Sequence, residues 1–255
     1  MHKPLSGRRI VVTRPREQAA VLCQKLAAAG ATPIRFPTIR IAPMADTGPL
    51  DAAIARLDGY DWVIFTSVNG VAYFWERLAA AAHGAVPAGT RVAASGPATA
   101  RALNEKGCRP DFVPEEFVAE RIAEGLGNVS GKWLLLPRAQ SARKALADLL
   151  VAAGATVDEI PTYRTLAESP NAKAIAALEA GVDVLTFTSS STARYFAAIL
   201  GERAAPIARG ALIACIGPIT AQTVRDLGFE VGLVAREYTT DGLIEALARQ
   251  VQTSR

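Results

Sequence analysis

Cysteine, histidine and methionine are all scarce in this 255-residue chain, and no pattern gathers them. The three cysteines (Cys23, Cys108, Cys215) are odd in number and scattered, with no CxxC among them. A disulfide framework and a structural zinc site are thereby excluded, and a reduced, cytoplasmic protein is expected. Cys215 sits in an apolar stretch and reads as a small core residue. Only two histidines occur, His2 in the terminal residues and His83 in an alanine-glycine loop, so neither a Ser-His-Asp site nor a histidine metal site is expected. No GxSxG is present, and no GxGxxG follows an apolar run, so the phosphate fingerprint of a dinucleotide fold is missing. Gly127-Asn128-Val129-Ser130-Gly131-Lys132 is one residue short of a P-loop, lacks the following Ser or Thr, and precedes a strand instead of a helix. Asn128-Val129-Ser130 matches a glycosylation sequon that a cytosolic protein never uses. No apolar run approaches membrane-spanning length and no leader pattern opens the chain, so neither a membrane nor secretion is expected. The formal charge of +4 fits an anionic ligand. It is too mild to argue for nucleic acid, and no Lys/Arg cluster interleaves with aromatics.

What the chain does contain, it contains twice. Ile10-Val11-Val12-Thr13-Arg14-Pro15 leads into a helical stretch closing on Ala28-Ala29-Gly30-Ala31-Thr32, then Phe36-Pro37-Thr38-Ile39-Arg40. The second half reads Trp133-Leu134-Leu135-Leu136-Pro137-Arg138, then Ala152-Ala153-Gly154-Ala155-Thr156, then Ile160-Pro161-Thr162-Tyr163-Arg164. Asp61-Trp62-Val63-Ile64-Phe65-Thr66-Ser67 answers to Asp183-Val184-Leu185-Thr186-Phe187-Thr188-Ser189, and Gly96-Pro97-Ala98-Thr99-Ala100 to Gly217-Pro218-Ile219-Thr220-Ala221. The offset is 124 at the first glycine pair (154 − 30), 122 at the aspartates (183 − 61) and 121 at the Gly-Pro pairs (217 − 96). So steady an offset through ordered blocks marks an internal duplication into two domains of about 125 residues, each able to bury its own core. Two lobes usually enclose one cleft, which is where function is expected.

Short apolar runs alternating with alanine-rich helical patterns predict an α/β fold with parallel sheets. Strands are expected at 9–13, 33–36, 61–65, 91–94 and 111–113, with counterparts near 132–136, 157–160, 183–187, 211–215 and 231–234. Helices are expected at 16–29, 97–106, 118–126, 142–153, 218–227 and 240–250, with glycine just past the end of several. Segments 37–41 and 161–165 each carry Pro-Thr-x-Arg where a helix would otherwise begin. Proline disfavours a central strand there, so both segments are read as connectors between lobes. The first strand-helix-strand of each copy then completes the lobe built from the other copy's remainder.

Candidate functional residues are hydroxyls and glycines beyond strand ends. Thr66-Ser67-Val68-Asn69-Gly70 and Thr188-Ser189-Ser190-Ser191-Thr192 each follow an apolar strand and open a helix. Ser95-Gly96-Pro97-Ala98-Thr99 and Gly217-Pro218-Ile219-Thr220 do the same one strand later. Such residues are default helix N-caps. Together they also suit an anion cradle, since ligands of open parallel sheets bind beyond the carboxyl ends of strands, where helix N–H groups are free. Arg14, Arg16 and Arg138 stand in the corresponding first turns, either as ordinary surface arginines or as bidentate carboxylate partners.

The ordered set Val-Val-Thr-Arg-Pro (11–15), Phe-Pro-Thr-Ile (36–39), Asp-Trp-Val-Ile-Phe-Thr-Ser-Val-Asn-Gly-Val (61–71), Ser-Gly-Pro-Ala-Thr-Ala (95–100), Pro-Thr-Tyr-Arg-Thr (161–165), Phe-Thr-Ser (187–189) and Ile-Gly-Pro-Ile-Thr-Ala (216–221) resembles the uroporphyrinogen-III synthase family, from about residue 8 to 248. The resemblance implies two similar α/β domains joined by a two-stranded connector. Domain 1 would comprise residues 1–37 plus 166–255 and domain 2 residues 42–160, with 38–41 and 161–165 as connectors. It implies a lyase of heme biosynthesis that closes linear hydroxymethylbilane to uroporphyrinogen III, inverting ring D through a spiro intermediate with loss of water. No cofactor or metal is implied. Hand-over of substrate from hydroxymethylbilane synthase is implied as well, and a monomer is expected because no exposed apolar stripe appears in the sequence. Tyr163 matches the family's connector tyrosine and becomes the candidate general acid; the alternative is a tyrosine that packs at the connector and bonds a carbonyl. Thr99 and Thr220 match the Gly-Pro-x-Thr positions, and Thr66, Ser67 and Asn69 the strand-end turn. Thr13 and Arg14 fit the first turn; in the second copy Leu136 replaces the threonine, leaving Arg138 as its contact residue. Substrate contacts would also include Arg16, Ser95, Thr188, Ser189, Ser190, Gly217 and Pro218.

Two other readings fit the same features. One is a non-enzymatic two-lobed intracellular binding module that closes on an anionic ligand. The other, a nucleotide-dependent enzyme, has fold-level support only.

Overall fold

The computed structural model describes residues 3–81 and 84–253, so His2 and His83 lie outside the described residues. The strands are β1 (Arg9–Val12), β2 (Thr32–Arg35), β3 (Ile39–Pro43), β4 (Trp62–Phe65), β5 (Arg91–Ala94), β6 (Trp133–Ala139), β7 (Thr156–Ala167), β8 (Val184–Phe187), β9 (Leu212–Cys215) and β10 (Leu233–Val234). The helices are α1 (Arg16–Ala28), α2 (Gly48–Ala55), α3 (Val68–Ala80), α4 (Pro97–Glu105), α5 (Ala119–Gly125), α6 (Ala145–Ala152), α7 (Ala172–Glu179), α8 (Ser190–Leu200), α9 (Ala204–Arg209), α10 (Pro218–Asp226) and α11 (Thr240–Thr253). The chain forms two compact units, Met1–Arg40 with Leu166–Arg255, and Ile41–Thr165.

One sheet runs β10-β9-β8-β1-β2 and the other β5-β4-β6-β7-β3. The pairs β1–β2, β1–β8 and β8–β9 are parallel, as are β4–β5, β4–β6 and β6–β7. Apart from β3 and β10, the two orders correspond: β2-β1-β8-β9 in one unit, β7-β6-β4-β5 in the other. The α/β class with parallel sheets is thus as read from the alternating pattern.

Each sheet is covered on both faces, which is why its strands are apolar runs without alternation. In the first unit Val11, Leu185 and Phe187 pack on one face with Phe196 and Val224. Ile10, Val12 and Val184 pack on the other with Leu22, Leu26 and Leu243. In the second unit Val63 and Phe65 face Phe74 and Leu103. Trp62 and Ile64 face Ile122, Leu146 and Leu150 on the opposite side.

The repeated polar residues have repeated structural tasks. Asp61 Oδ2 accepts the Trp133 N–H at 2.9 Å, and Asp183 Oδ2 accepts the Arg9 N–H at 2.7 Å. Each aspartate therefore fixes the start of the neighbouring strand, which sets register where a one-residue slip would misplace every side chain. Gly30 and Gly154 end the helical stretches before β2 and β7 at φ 96° and 88°, the left-handed region that glycine enters without strain.

Several elements differ from the sequence expectation. The strand expected at 111–113 is reduced to one bridge, Ala93 with Phe112, and the one at 231–234 to the two residues of β10. Helix α6 starts at Ala145, three residues later than expected, and α2, α7 and α9 are additional. Most consequential, β7 does not stop at Ile160 but runs on through Pro161 and Tyr163. Its register with β6 shifts there: Arg138 pairs with Pro161 and Ala139 with Tyr163, leaving Thr162 as an extra residue. Proline is tolerated at such a bulge because the ladder donor it lacks is not required.

Candidate active site

The bulge in β7 decides where Tyr163 points. In an unbroken strand, Ile160 and a residue three positions on face opposite sides. The extra residue returns Tyr163 to the face of Ile160, which packs toward α3. There the Tyr163 hydroxyl lies 3.0 Å from Ser67 Oγ, and its ring stacks on Tyr73 of α3 at 5.9 Å between centroids and 19° between planes. Ser67 is the N-cap of α3, accepting the Gly70 N–H at 3.0 Å. Asn69 bonds the same phenol. Three of the residues singled out in the sequence, Tyr163, Ser67 and Asn69, are thus brought together.

Burial pushes the Tyr163 phenol above the ordinary tyrosine value, while the bonds from Ser67 and Asn69 and the charge of Arg138 pull the other way. The net direction is upward, so the group is held protonated. Arg138 is itself buried, with Nη1 donating to Glu159 Oε2 at 2.6 Å and Nη2 to the Arg143 carbonyl. It reaches Tyr163 through its field; its guanidinium is committed to protein partners. Thr66 is exposed at the end of β4.

In the first unit, the turns after β1, β8 and β9 carry the corresponding residues. Thr13 is wholly buried and donates to the Thr186 carbonyl at 2.7 Å, tying β1 to β8. Arg14 is half-buried; Nη2 donates to Gln18 Oε1 at 2.8 Å, Nε is enclosed without a partner, and burial lowers its pKa. Arg16 is exposed, 3.5 Å from Glu168. Ser189 caps α8 by accepting the Thr192 N–H at 3.3 Å, as Ser67 caps α3. Ser190 Oγ accepts from Thr223 Oγ1 at 2.7 Å. Thr188 is half-buried.

The Gly-Pro-x-Thr turns open α4 and α10 with no side-chain cap. Their glycines are extended, a conformation any residue adopts, so backbone freedom does not explain them. Close approach does. A Cβ on Gly96 would meet the Phe117 ring at 3.0 Å, and one on Gly217 the Tyr238 ring at 3.3 Å. Pro97 and Pro218 occupy first helical positions, where a missing N–H is harmless. Ser95 donates its backbone N–H to the Phe65 carbonyl at 2.9 Å, linking β5 to β4.

Thr99 and Thr220 stand out among the buried polar groups, each 5 % exposed. Every other buried threonine of the described residues (Thr13, Thr38, Thr90, Thr162, Thr186 and Thr192) donates to a backbone carbonyl. Among these residues, Thr99 and Thr220 alone take no protein partner for the hydroxyl. Neither Oγ1 is among the enclosed unpartnered atoms of the described residues, so both hydroxyls reach solvent at the first turns of α4 and α10.

Sequence reasoning missed four contributors: Tyr73 against Tyr163, Thr223 against Ser190, and the rings of Phe117 and Tyr238 over the glycines. A signal existed for three of them. Phe117 and Tyr238 are 121 apart (238 − 117), the offset of the Gly-Pro pairs; Tyr73 has Tyr195 at 122 (195 − 73), the offset of the aspartates. Thr223 carried no such mark.

Two parallel sheets, each with polar turns beyond its strand ends, define the class: a two-unit α/β protein. The family comparison narrows this. The family model for uroporphyrinogen-III synthase HemD matches residues 20–245. The uroporphyrinogen-III synthase of Synechococcus elongatus is 38 % identical, over 97 % of this chain and 98 % of that protein. A putative uroporphyrinogen-III synthase of Methanocaldococcus jannaschii is 33 % identical, over 94 % of this chain and 97 % of that protein. In fold, the chain is similar to a mutant uroporphyrinogen III synthase from the extremely thermophilic bacterium Thermus thermophilus (TM-score 0.69, 21 % identity, covering 97 % of this chain and 100 % of the other). The chain belongs to the uroporphyrinogen-III synthase family, whose members are cyclising lyase-type enzymes of porphyrin biosynthesis. The motif resemblance is borne out, and the binding-module reading is not favoured.

Proposed function

We propose that this chain closes hydroxymethylbilane to uroporphyrinogen III, with Tyr163 as the group that assists departure of the hydroxyl. The observation that carries this beyond family membership is the Tyr163 site: a phenol buried, bonded to Ser67 and Asn69, and shifted upward so that it stays protonated. A protonated phenol hydrogen-bonds the leaving oxygen and shares its proton as the C–O bond breaks. The electron-rich pyrrole stabilises the resulting azafulvene cation, so a weak acid suffices. Attack by the substituted carbon of ring D on that cation gives the spiro intermediate. The older bond from this carbon to the methylene bridge of ring C then breaks, leaving a second azafulvene cation on ring C. The free α-carbon of ring D bonds that cation and loses its hydrogen as a proton, which restores the phenol, so the balance is loss of one water. The rest is positional: the protein favours one closure over the other by holding the chain in shape.

Thr99 and Thr220 supply donors for substrate carboxylates, supported by their matching places in the first turns of α4 and α10 and by hydroxyls that reach solvent. Arg14 supplies charge, supported by its enclosed Nε and the absence of an acidic partner among the described residues. Thr66, Ser95, Ser189, Ser190, Gly217 and Pro218, with Arg16 and Thr188, complete the strand-end turns. Thr13 and Arg138 serve from behind them, holding β1 and β6. Residues 38–41 and 161–165 are read as connectors between domains that exchange their opening segments, a reading supported by the pairing of β1 with β8 and of β6 with β4. A cytoplasmic monomer receiving its substrate from the synthase that makes hydroxymethylbilane is the setting we infer.

Turnover of fresh hydroxymethylbilane by Tyr163→Phe is the test. The variant should lose about ten-fold or more in kcat, about 1.4 kcal/mol of transition-state stabilisation or more, at an unchanged thermal midpoint. A rate near that of the wild type removes Tyr163 from the chemistry.

A further inference from the structure

Arg164 has no role among the contacts above, yet its Nε is enclosed without a hydrogen-bond partner. It lies in β7, one residue past Tyr163 and past the last residue of β6 that pairs with it, Ala139. That is the carboxyl end of a parallel sheet, where open α/β folds receive ligands. The residue is half-buried, and its Nε is enclosed with no hydrogen-bond partner. Among the described residues no acceptor bonds its guanidinium N–H groups, and no carboxylate pairs with it.

Other arginines of the described residues make the contrast plain. Arg138 is held by Glu159, Arg56 by Asp158, and Arg77 by both oxygens of Asp51. Arg9, whose Nε is likewise enclosed and unbonded, still donates through Nη2 to the Ala177 carbonyl at 2.7 Å. Only Nε is enclosed; the Nη edge of the Arg164 guanidinium reaches solvent, open to a ligand, while the buried Nε–H lacks an acceptor, which native proteins rarely leave so.

We propose that Arg164 binds a carboxylate of the substrate, and that it, not Arg138, is the anion-binding arginine of this unit; the proposal rests on the hydroxymethylbilane reading. The planar fork of arginine matches a carboxylate with two parallel N–H···O bonds, and a ligand bearing several carboxylates brings the missing counter-charge with it. Arg138 cannot take that task without abandoning Glu159 and the Arg143 carbonyl. Arg164 gives up nothing.

Steady-state kinetics of Arg164→Gln and Arg164→Lys with hydroxymethylbilane, beside thermal midpoints, test the assignment. Arg164→Gln should raise KM about ten-fold, equivalent to about 1.4 kcal/mol of binding. Its effect should fall on KM more than on kcat. Its midpoint should stay close to that of the wild type, because no side-chain hydrogen bond or ion pair is lost. Arg164→Lys should recover part of the affinity. An unchanged KM in Arg164→Gln overturns the proposal, as does a lowered midpoint with no change in KM, which makes Arg164 a scaffold residue. Failure of the wild type to form isomer III would instead overturn the underlying reading, and the two failures are seen in separate reactions.

Discussion

A hydroxyl at a helix start reads the same in sequence whether it caps, ties strands or bonds no protein group. Ser67 and Ser189 cap; Thr13 and Thr186 tie β1 to β8; Thr99 and Thr220 do neither. The motif reading collected all three kinds together, because residue type is visible in sequence and the acceptor is not. The arginines behave alike: Arg138 was marked by its place after a strand, while its commitment to Glu159 depends on β7 lying beside β6. Tyrosine shows how far environment can move one residue type. Tyr60 is 1 % exposed and donates to Asp158 Oδ2 at 2.5 Å. Burial, then the Asp158 bond, push its phenol up to about 12 from the ordinary 10. The folded chain therefore holds that proton more tightly than the unfolded chain. Its contribution to stability is complete below pH 10 and is lost as pH rises from 10 through 12. Urea midpoints measured from about pH 9 upward should fall over that window in the wild type and fall less in Tyr60→Phe; parallel curves would contradict the assignment.

At the scale of elements, the junction of α3 with β6 governs the site. A Cβ on Gly70 would lie 3.0 Å from the Pro137 carbonyl oxygen and 3.2 Å from Ser67 Oγ. Alanine at this position gains at most about 1 kcal/mol in helix propensity. Crowding a strand carbonyl that cannot rotate away costs about 1–3 kcal/mol, so the steric effect prevails. Gly70→Ala should lower the thermal midpoint and also reduce turnover, because α3 carries Ser67 and Tyr73 away from Tyr163 as it shifts. A higher midpoint with full turnover would show that the junction has slack. Element boundaries were legible where a cap or a glycine marked them, as at Ser67, Ser189, Gly30 and Gly154. They were not legible at Pro161, where the local rule against proline in a central strand ends β7 too early. The bulge that admits Pro161 is a property of the β6–β7 pair, and no single segment announces it.

For the whole molecule, the repeat was the most legible feature, because offsets of 121 to 124 survive in residues with fixed tasks: aspartates that set register, glycines that end helices, turns that open them. The two sheets share the order β2-β1-β8-β9 and β7-β6-β4-β5. The repeat was less legible at the rims, where the fifth strand shrinks to a bridge at Phe112 in one unit and to β10 in the other. What distinguishes the two matching segments is also chemical: Tyr163 answers to Ile39, and half-buried Arg164 to exposed Arg40. Those differences place both proposed special residues of the second unit on β7. The measurement that bears most directly on this account is separation of the product isomers after the intact protein meets freshly made hydroxymethylbilane. Formation of uroporphyrinogen III faster than spontaneous closure is the predicted result. Isomer I alone, at the spontaneous rate, would contradict it.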